Sequence, residues 1–230
     1  MTETSPTLTA PDYLSNRTRA PRNEPFPLRP GFTELTGPLL GEGRVAAGDA
    51  DLTQWADGEA VGQRILVTGQ VLDQDARPVT GSLIEVWQAN AGGRYRHTQD
   101  RWPAPLDPHF SGLGRTMTDE QGRYSFLTVR PGAYPWRNHT NAWRPGHIHF
   151  SLFGRAFVQR LVTQMYFPED PLLALDPIYQ AVPEAGRKRL VSSYDHSVTQ
   201  PEWALGYRFD IVLRGASATP FEDEDEDDDA

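Results

Sequence analysis

The chain has 230 residues with 20 Gly, 20 Pro and no Cys, and 38% of its residues are hydrophobic. These values fit one loop-rich domain and exclude a wholly disordered chain, a membrane protein, disulfides, thiolate metal sites and cysteine nucleophiles. The formal charge is −9, but the acidic run at 222–229 holds eight of the 31 acids and leaves 23 acidic against 22 basic residues. The remaining charges are scattered, so no nucleic-acid-binding stripe is expected.

The first 60 residues are rich in proline and weakly periodic, which disfavours both a helix and a central strand. Four apolar side chains in this stretch would have no use in a free tail: Tyr13, Phe26, Phe32 and Leu39. We therefore predict an extended arm at 1–60 that lies over another surface, which could be a partner chain. A flexible tail is the alternative.

Short strand patterns separated by turns begin near residue 62. In the first of them, Ile65, Val67 and Val71 alternate with polar neighbours, as in a strand with one buried face. DEQG at 119–122 predicts a tight turn that joins TMT and RYSFLTV in a hairpin. The fold class expected is mainly β, an antiparallel β-sandwich or barrel with long loops. The first strand is predicted at 64–73. The others outside the hairpin are predicted at 82–90, 146–154, 159–167 and 206–214, with a short helix at 184–193.

The chain ends in EDEDEDDD at 222–229, a run that repels itself and predicts a disordered tail. Such a tail either keeps the protein in solution or binds a partner. The predicted organisation is an arm at 1–60, one β domain at 61–221 and an acidic tail at 222–230.

His147 and His149 lie two residues apart in a strand pattern, so both imidazoles share one face while Ile148 points into the sheet packing. Imidazole is the commonest metal ligand, although a pair of this kind is by itself a weak signal. The remaining histidines lie in polar, loop-like stretches and are expected at the surface: His97, His109, His139 and His196.

Tyrosines are the next candidate ligands, because the chain has no cysteine and no acidic residue close to the histidine pair in sequence. Tyr134 lies in the loop RPGAYPWRN before the pair, and Tyr95 follows a strand end in NAGGRYRH. A phenol has a pKa of about 10 and becomes a ligand only for a strongly Lewis-acidic cation such as ferric iron. The alternative for each is a half-buried ring with its hydroxyl at the surface.

Five longer stretches follow one another along the chain: IEVWQANAGGRYRH (84–97), DPHFSGLGR (107–115), TDEQGRYSFLTVRPGAYPWRN (118–138), WRPGHIHFSL (143–152) and YRFDIVLRG (207–215). Together they resemble the intradiol ring-cleaving dioxygenases over roughly residues 60–221. Several motifs in the same order make this resemblance specific. It implies a mononuclear ferric ion bound by two tyrosinates, two histidines and solvent. The matching ligands are Tyr95, Tyr134, His147 and His149.

The resemblance also implies roles around that ion. Tyr134 accepts a substrate proton as it leaves the metal, and Arg144 stabilises the anionic substrate. Gln164 hydrogen-bonds Arg144 or an oxygen intermediate, and Trp136 packs the pocket wall. Tyr13, in the arm motif APDY, is a further substrate-binding candidate. Gly146 stands where the family often has alanine, a small change that should leave ligation intact.

Within the family, the resemblance is closest to iron-binding β subunits that cleave protocatechuate with O₂ to 3-carboxy-cis,cis-muconate. It implies a related α subunit, αβ units in a larger oligomer, and a cytoplasmic location without nucleic-acid or membrane partners. Catechol or hydroxyquinol is an alternative substrate, but family members using those usually carry an N-terminal helical domain that residues 1–60 cannot supply. A metal-free β-sandwich binding module is the other alternative, and it would need none of the four ligand-type residues.

Overall fold

The computed structural model describes residues 45–136, 142–153 and 161–221. Within them, strands dominate and form two larger sheets and one two-stranded ribbon. The strands are β1 (Arg64–Leu72), β2 (Leu83–Trp87), β3 (Leu113–Met117), β4 (Arg123–Val129), β5 (Tyr134–Trp136), β6 (Ala142–Arg144), β7 (His147–Phe153), β8 (Leu161–Tyr166), β9 (Ser193–Tyr194), β10 (Leu205–Arg208) and β11 (Ile211–Val212). The helical elements are a 3-10 turn (Pro171–Ala174), α1 (Pro177–Ala181) and α2 (Glu184–Arg187).

The first sheet is built around β1. This strand pairs antiparallel with β4 and parallel with β10 and β11, while β9 pairs antiparallel with β10. The second sheet is antiparallel throughout, in the order β3–β2–β7–β8. The short ribbon joins β5 to β6.

The core lies between the two sheets. Phe150 of β7 meets Phe126 of the first sheet with ring centroids 5.8 Å apart, and Phe209 at 5.2 Å. Ile65 and Val67 of β1 are fully buried in the same cluster, as the alternating pattern predicts. The mainly β sandwich predicted from the sequence is therefore confirmed, with one sheet mixed rather than purely antiparallel.

The predicted hairpin at 119–122 is wrong, although the turn itself is present. Gly122 N donates to Asp119 O at 3.0 Å, and Asp119 N donates to Arg123 O at 2.9 Å. However, β3 pairs with β2 and β4 pairs with β1. The turn carries the chain from one sheet to the other, and a tight turn has the same local sequence signal in both situations.

Two other predicted elements are shorter than expected. The strand predicted at 206–214 is divided into β10 and β11, because the Asp210 carboxylate takes the Gln70 amide hydrogen bond at 2.9 Å and interrupts the ladder. The helix predicted at 184–193 ends at Arg187, and the chain then turns through Leu190, whose amide donates to Arg187 O at 3.0 Å.

Residues 45–60 are the described end of the predicted arm, and Leu52 from this stretch is buried in the core. The rest of the arm and the acidic tail lie outside the described residues, so the division at 60 and 222 stays a prediction. No helix among the described segments is long and apolar enough to cross a membrane.

Candidate active site

Strand β7 is buried on both faces, and this places the histidine pair. Ile148 and Phe150 point into the core between the sheets. His147 and His149 take the alternate positions on the opposite face, where they are also almost fully buried. The ring of Trp87, the neighbour of His149 across the ladder, stacks on the His149 imidazole with centroids 4.7 Å apart. Packing therefore sets the orientation of the imidazole before any ligand binds.

Tyr95 lies in a loop, Tyr134 begins β5 directly after another loop, and the two loops touch at glycines. Gly93 has a φ of +77°, and a Cβ there would lie 2.1 Å from Ala133 O. A Cβ on Gly132 would lie 2.4 Å from Ala91 O and 2.6 Å from Gly93 N. Because neither glycine has a side chain, the two backbones can come together. Tyr95 lies two residues after Gly93, and Tyr134 lies two residues after Gly132.

Four candidate donors converge at one point. His147 Nε2 lies 3.1 Å from His149 Nε2, Tyr95 Oη lies 3.1 Å from His149 Nε2, and Tyr134 Oη lies 3.4 Å from His147 Nε2. Among the described residues, no group of three or more His, Cys, Asp or Glu could hold a metal ion. The other candidate donors beside the imidazoles are the two phenols. Both tyrosine rings are half-buried, yet their hydroxyls face imidazole nitrogens.

The tautomer and the protonation state of His147 both suit a metal ligand. Its Nδ1 lies 2.7 Å from Pro145 O, a group that can only accept a hydrogen bond, so Nδ1 carries the proton of the neutral ring. Nε2 then directs its lone pair towards the histidine–tyrosine cluster, which consists of Tyr95, Tyr134, His147 and His149. Burial, followed by the Arg144 charge and by His149, lowers the pKa of His147 well below its ordinary value. The ring is therefore neutral at physiological pH and available to bind a cation.

Arg144 lies in the interior behind the cluster, in β6 directly opposite Tyr134 of β5. Its side chain is 1% exposed, and its Nε forms an ion pair with Asp176 Oδ1 at 3.1 Å. Its Nη2 donates to Gln164 Oε1 and, at 3.0 Å, to Tyr166 Oη. The ion pair of Arg144 is therefore an interior contact and not a surface one.

The other predicted site residues lie around this arginine. Gln164 faces His149 across the β7–β8 ladder. Trp136 is buried with Ala142, and its ring centroid lies 5.8 Å from the Arg144 guanidinium carbon. A cleft of about 260 Å³ opens beside Tyr95 and Tyr134. Tyr13 lies outside the described residues. Among the remaining histidines, His97 and His196 are exposed, His109 is half-buried and His139 is not described.

Sequence reasoning missed Asp176 and Tyr166. The Tyr166 hydroxyl donates to Gln164 Oε1 at 2.6 Å, and the alternation in β8 could have placed the two side chains on one face. Asp176 precedes a proline, which signals a helix start, but no local pattern connects it to an arginine 32 positions earlier. Burial raises the pKa of the Asp176 carboxyl, while the Arg144 charge and hydrogen bonds from Ile178, Arg144 and Tyr166 oppose the rise.

Comparison with known proteins agrees with this architecture. Residues 35–215 match the family model described as Dioxygenase. The chain is 56% identical over 219 residues to the protocatechuate 3,4-dioxygenase beta chain of Burkholderia cepacia, covering 94% of this chain and 93% of that one. It is 32% identical over 167 residues to the protocatechuate 3,4-dioxygenase alpha chain of Pseudomonas putida, covering 72% and 78% of the two chains.

Among solved structures, the dioxygenase domain of a dioxygenase carbohydrate-binding protein fusion from Streptomyces sp. SirexAA-E superposes with a TM-score of 0.51 at 28% identity, covering 76% of this chain and 96% of that one. The family match spans most of the chain, and the matched region contains all four converging donors. This chain therefore belongs to the intradiol dioxygenase family.

Proposed function

We propose that this chain is the iron-binding β subunit of an enzyme that opens the ring of protocatechuate with O₂, between the two hydroxyl-bearing carbons, to give 3-carboxy-cis,cis-muconate. The observation that carries the proposal is the convergence of two imidazoles and two phenols within 3.4 Å. The proposal is also supported by the 56% identity of this chain to the beta chain of a protocatechuate 3,4-dioxygenase.

The donor set fits a hard trivalent cation. Tyr95, Tyr134, His147 and His149 supply two phenol oxygens and two nitrogens without sulfur, and two phenolates would offset two of the three charges of Fe³⁺ in a buried site. When bound, ferric iron would act as a Lewis acid that withdraws electron density from a catecholate and prepares its ring to react with O₂.

The residues of the chain would control protons in this reaction. A catechol must lose the protons of both hydroxyls to bind as a dianion. The Tyr134 phenolate oxygen would accept one of them, and a solvent-derived hydroxide would accept the other. Tyr134 is half-buried beside the cleft, where a substrate can reach it. His147 would not compete for that proton, because its Nδ1 already carries a proton and its Nε2 lone pair would bind the iron.

Arg144 would supply fixed positive charge. The substrate becomes anionic when it is deprotonated, and a cation held in a site of low polarity stabilises such charge more strongly than one in water. Gln164 hydrogen-bonds the arginine, and Trp136 packs close to it. We assign Gln164 and Trp136 to shaping the pocket, and Tyr13 to a substrate contact supplied by the arm.

The partner is proposed to be a related α subunit that forms αβ units within a larger oligomer in the cytoplasm. The similarity of this chain to both beta and alpha chains of protocatechuate 3,4-dioxygenases supports that assembly. Co-expression with an α subunit followed by native mass measurement tests it, and a stable β-only species in the presence of excess α subunit would contradict it.

The test of function is the visible spectrum of the iron-loaded protein before and after anaerobic addition of protocatechuate. Tyrosinate bound to ferric iron gives a charge-transfer colour, which should shift to longer wavelength on substrate binding. Tyr95→Phe should alter the band, whereas Tyr194→Phe, an exposed ring on β9, should leave it unchanged. A shift with catechol but not protocatechuate would favour the alternative substrates. A protein that stays colourless after iron loading would favour the metal-free binding module.

A further inference from the structure

Arg144 and Asp176 form an ion pair in which both side chains are buried. The side chain of Arg144 is 1% exposed and that of Asp176 is 0% exposed. Burying two charges is costly, and apolar residues of similar volume often give equal or greater stability. Overall stability is therefore a weak explanation for this pair, and its geometry offers a more specific one.

Asp176 contacts one nitrogen of the Arg144 guanidinium, and strand β8 of the second sheet contacts another. The Asp176 Oδ1 atom lies 3.1 Å from Arg144 Nε and also accepts the Ile178 amide at 3.2 Å, at the start of α1. At the neighbouring nitrogen of the guanidinium, Nη2 contacts Gln164 and Tyr166, both from β8. Because contacts at two nitrogens come from two different segments of the chain, they hold the planar guanidinium in one orientation.

We propose that Asp176 is a positioning residue for the ring-cleavage reaction: its carboxylate holds the Arg144 guanidinium beside the histidine–tyrosine cluster, in the orientation that the reaction needs. The inference rests on the proposed function. Asp176 acts on the reacting atoms through Arg144, and its hydrogen bond from Tyr166 leads back to the same guanidinium, because Tyr166 Oη also contacts Arg144 Nη2. Without its carboxylate the guanidinium would be an uncompensated charge in the interior, and it would turn away from Gln164 towards solvent.

The chain contains its own control for this proposal. Asp170 and Asp176 both precede a proline, and each caps a short helical turn through its side chain: Asp170 accepts from Leu172 N at 2.9 Å, and Asp176 from Ile178 N at 3.2 Å. Asp170 is half-buried and precedes the 3-10 turn instead of α1. Asn at either position keeps an oxygen for the cap but removes the charge.

The experiment compares Asp176→Asn with Asp170→Asn in the iron-loaded protein assembled with its partner. We expect Asp176→Asn to lower kcat by roughly 10- to 100-fold while KM changes much less, because a misplaced catalytic group weakens the transition state more than the ground state. Iron content and the resting visible band should be unchanged, and Asp170→Asn should stay within about twofold of the wild type. Equal kcat values for the two variants would overturn the proposal.

A second comparison covers the case in which Asp176→Asn does not fold. Neither Arg144→Gln nor the double variant Arg144→Gln/Asp176→Asn contains an unpaired guanidinium. Arg144→Gln leaves the Asp176 carboxyl without its cationic partner, so that carboxyl should be buried as the neutral acid. The kcat values of the two variants should be equal, because Asp176 acts through Arg144. A further loss in the double variant would show an independent role and overturn the inference.

Crystals of Asp176→Asn supply a readout that needs no activity. The Arg144 guanidinium should have left Gln164, and an unmoved guanidinium refutes the positioning role. A wild-type protein without iron colour or ring cleavage would instead refute the proposed function, so the two failures are distinguishable.

Discussion

The loop before Tyr134 approaches the loop before Tyr95 closely at Gly132, so we predict that Gly132→Ala produces a steric clash between the two loops. The new Cβ would lie 2.4 Å from Ala91 O and 2.6 Å from Gly93 N, whereas ordinary contacts begin near 3.4 Å. Both obstacles are backbone atoms and cannot rotate aside, so the loops must separate by about 1 Å. Forced overpacking of this kind costs about 1–3 kcal/mol. The separation would also move Tyr134 relative to Tyr95, so we expect reduced iron retention.

Urea unfolding and iron per chain measure both effects. The matched control is Gly92→Ala in the Tyr95 loop, on the other side of the same approach. There the nearest atom is the Asn90 side-chain oxygen at 3.3 Å, which needs to move only a few tenths of an ångström. Its free energy of unfolding should stay within about 1 kcal/mol of the wild type. If Gly132→Ala has the stability and iron content of Gly92→Ala, the close approach of the loops does not hold the site together.

Three further predictions concern the cluster and the core beneath it. Tyr134→Phe removes the proposed proton acceptor, so kcat should fall roughly 10²- to 10⁴-fold with iron still bound, and stopped-flow traces should show slower substrate binding as the dianion; wild-type rates would contradict the role. In the iron-free protein, His147 stays neutral when folded because its pKa is lowered, whereas the unfolded chain binds a proton below about pH 6.5, so unfolding becomes easier as the pH falls. Urea titrations should show this loss of stability as the pH falls below about 6.5, and the loss should disappear in His147→Gln. Phe150→Ala should lower the free energy of unfolding by about 3–5 kcal/mol, because Phe150 is fully buried between the sheets; a loss below about 1 kcal/mol would mean that the core is not packed as described.

Local patterns were sufficient to predict most strands, because alternation of apolar and polar residues depends only on which face is buried. They could not assign partners. The turn at 119–122 was recognised, but its two strands belong to different sheets, a choice made by the core rather than by the turn. The interruption at Asp210 was also missed, since it depends on the Gln70 amide of a distant strand.

The sequence by itself determined the chemistry available at the site. His147 and His149 share a face because strand side chains alternate, and the absence of cysteine left tyrosine oxygens as the natural further donors. Only the tertiary structure brought Tyr95 and Tyr134 to those imidazoles, through backbones that meet at glycines. It also paired Arg144 with Asp176, because a buried charge needs a partner and packing, not proximity in sequence, decides which one lies within reach.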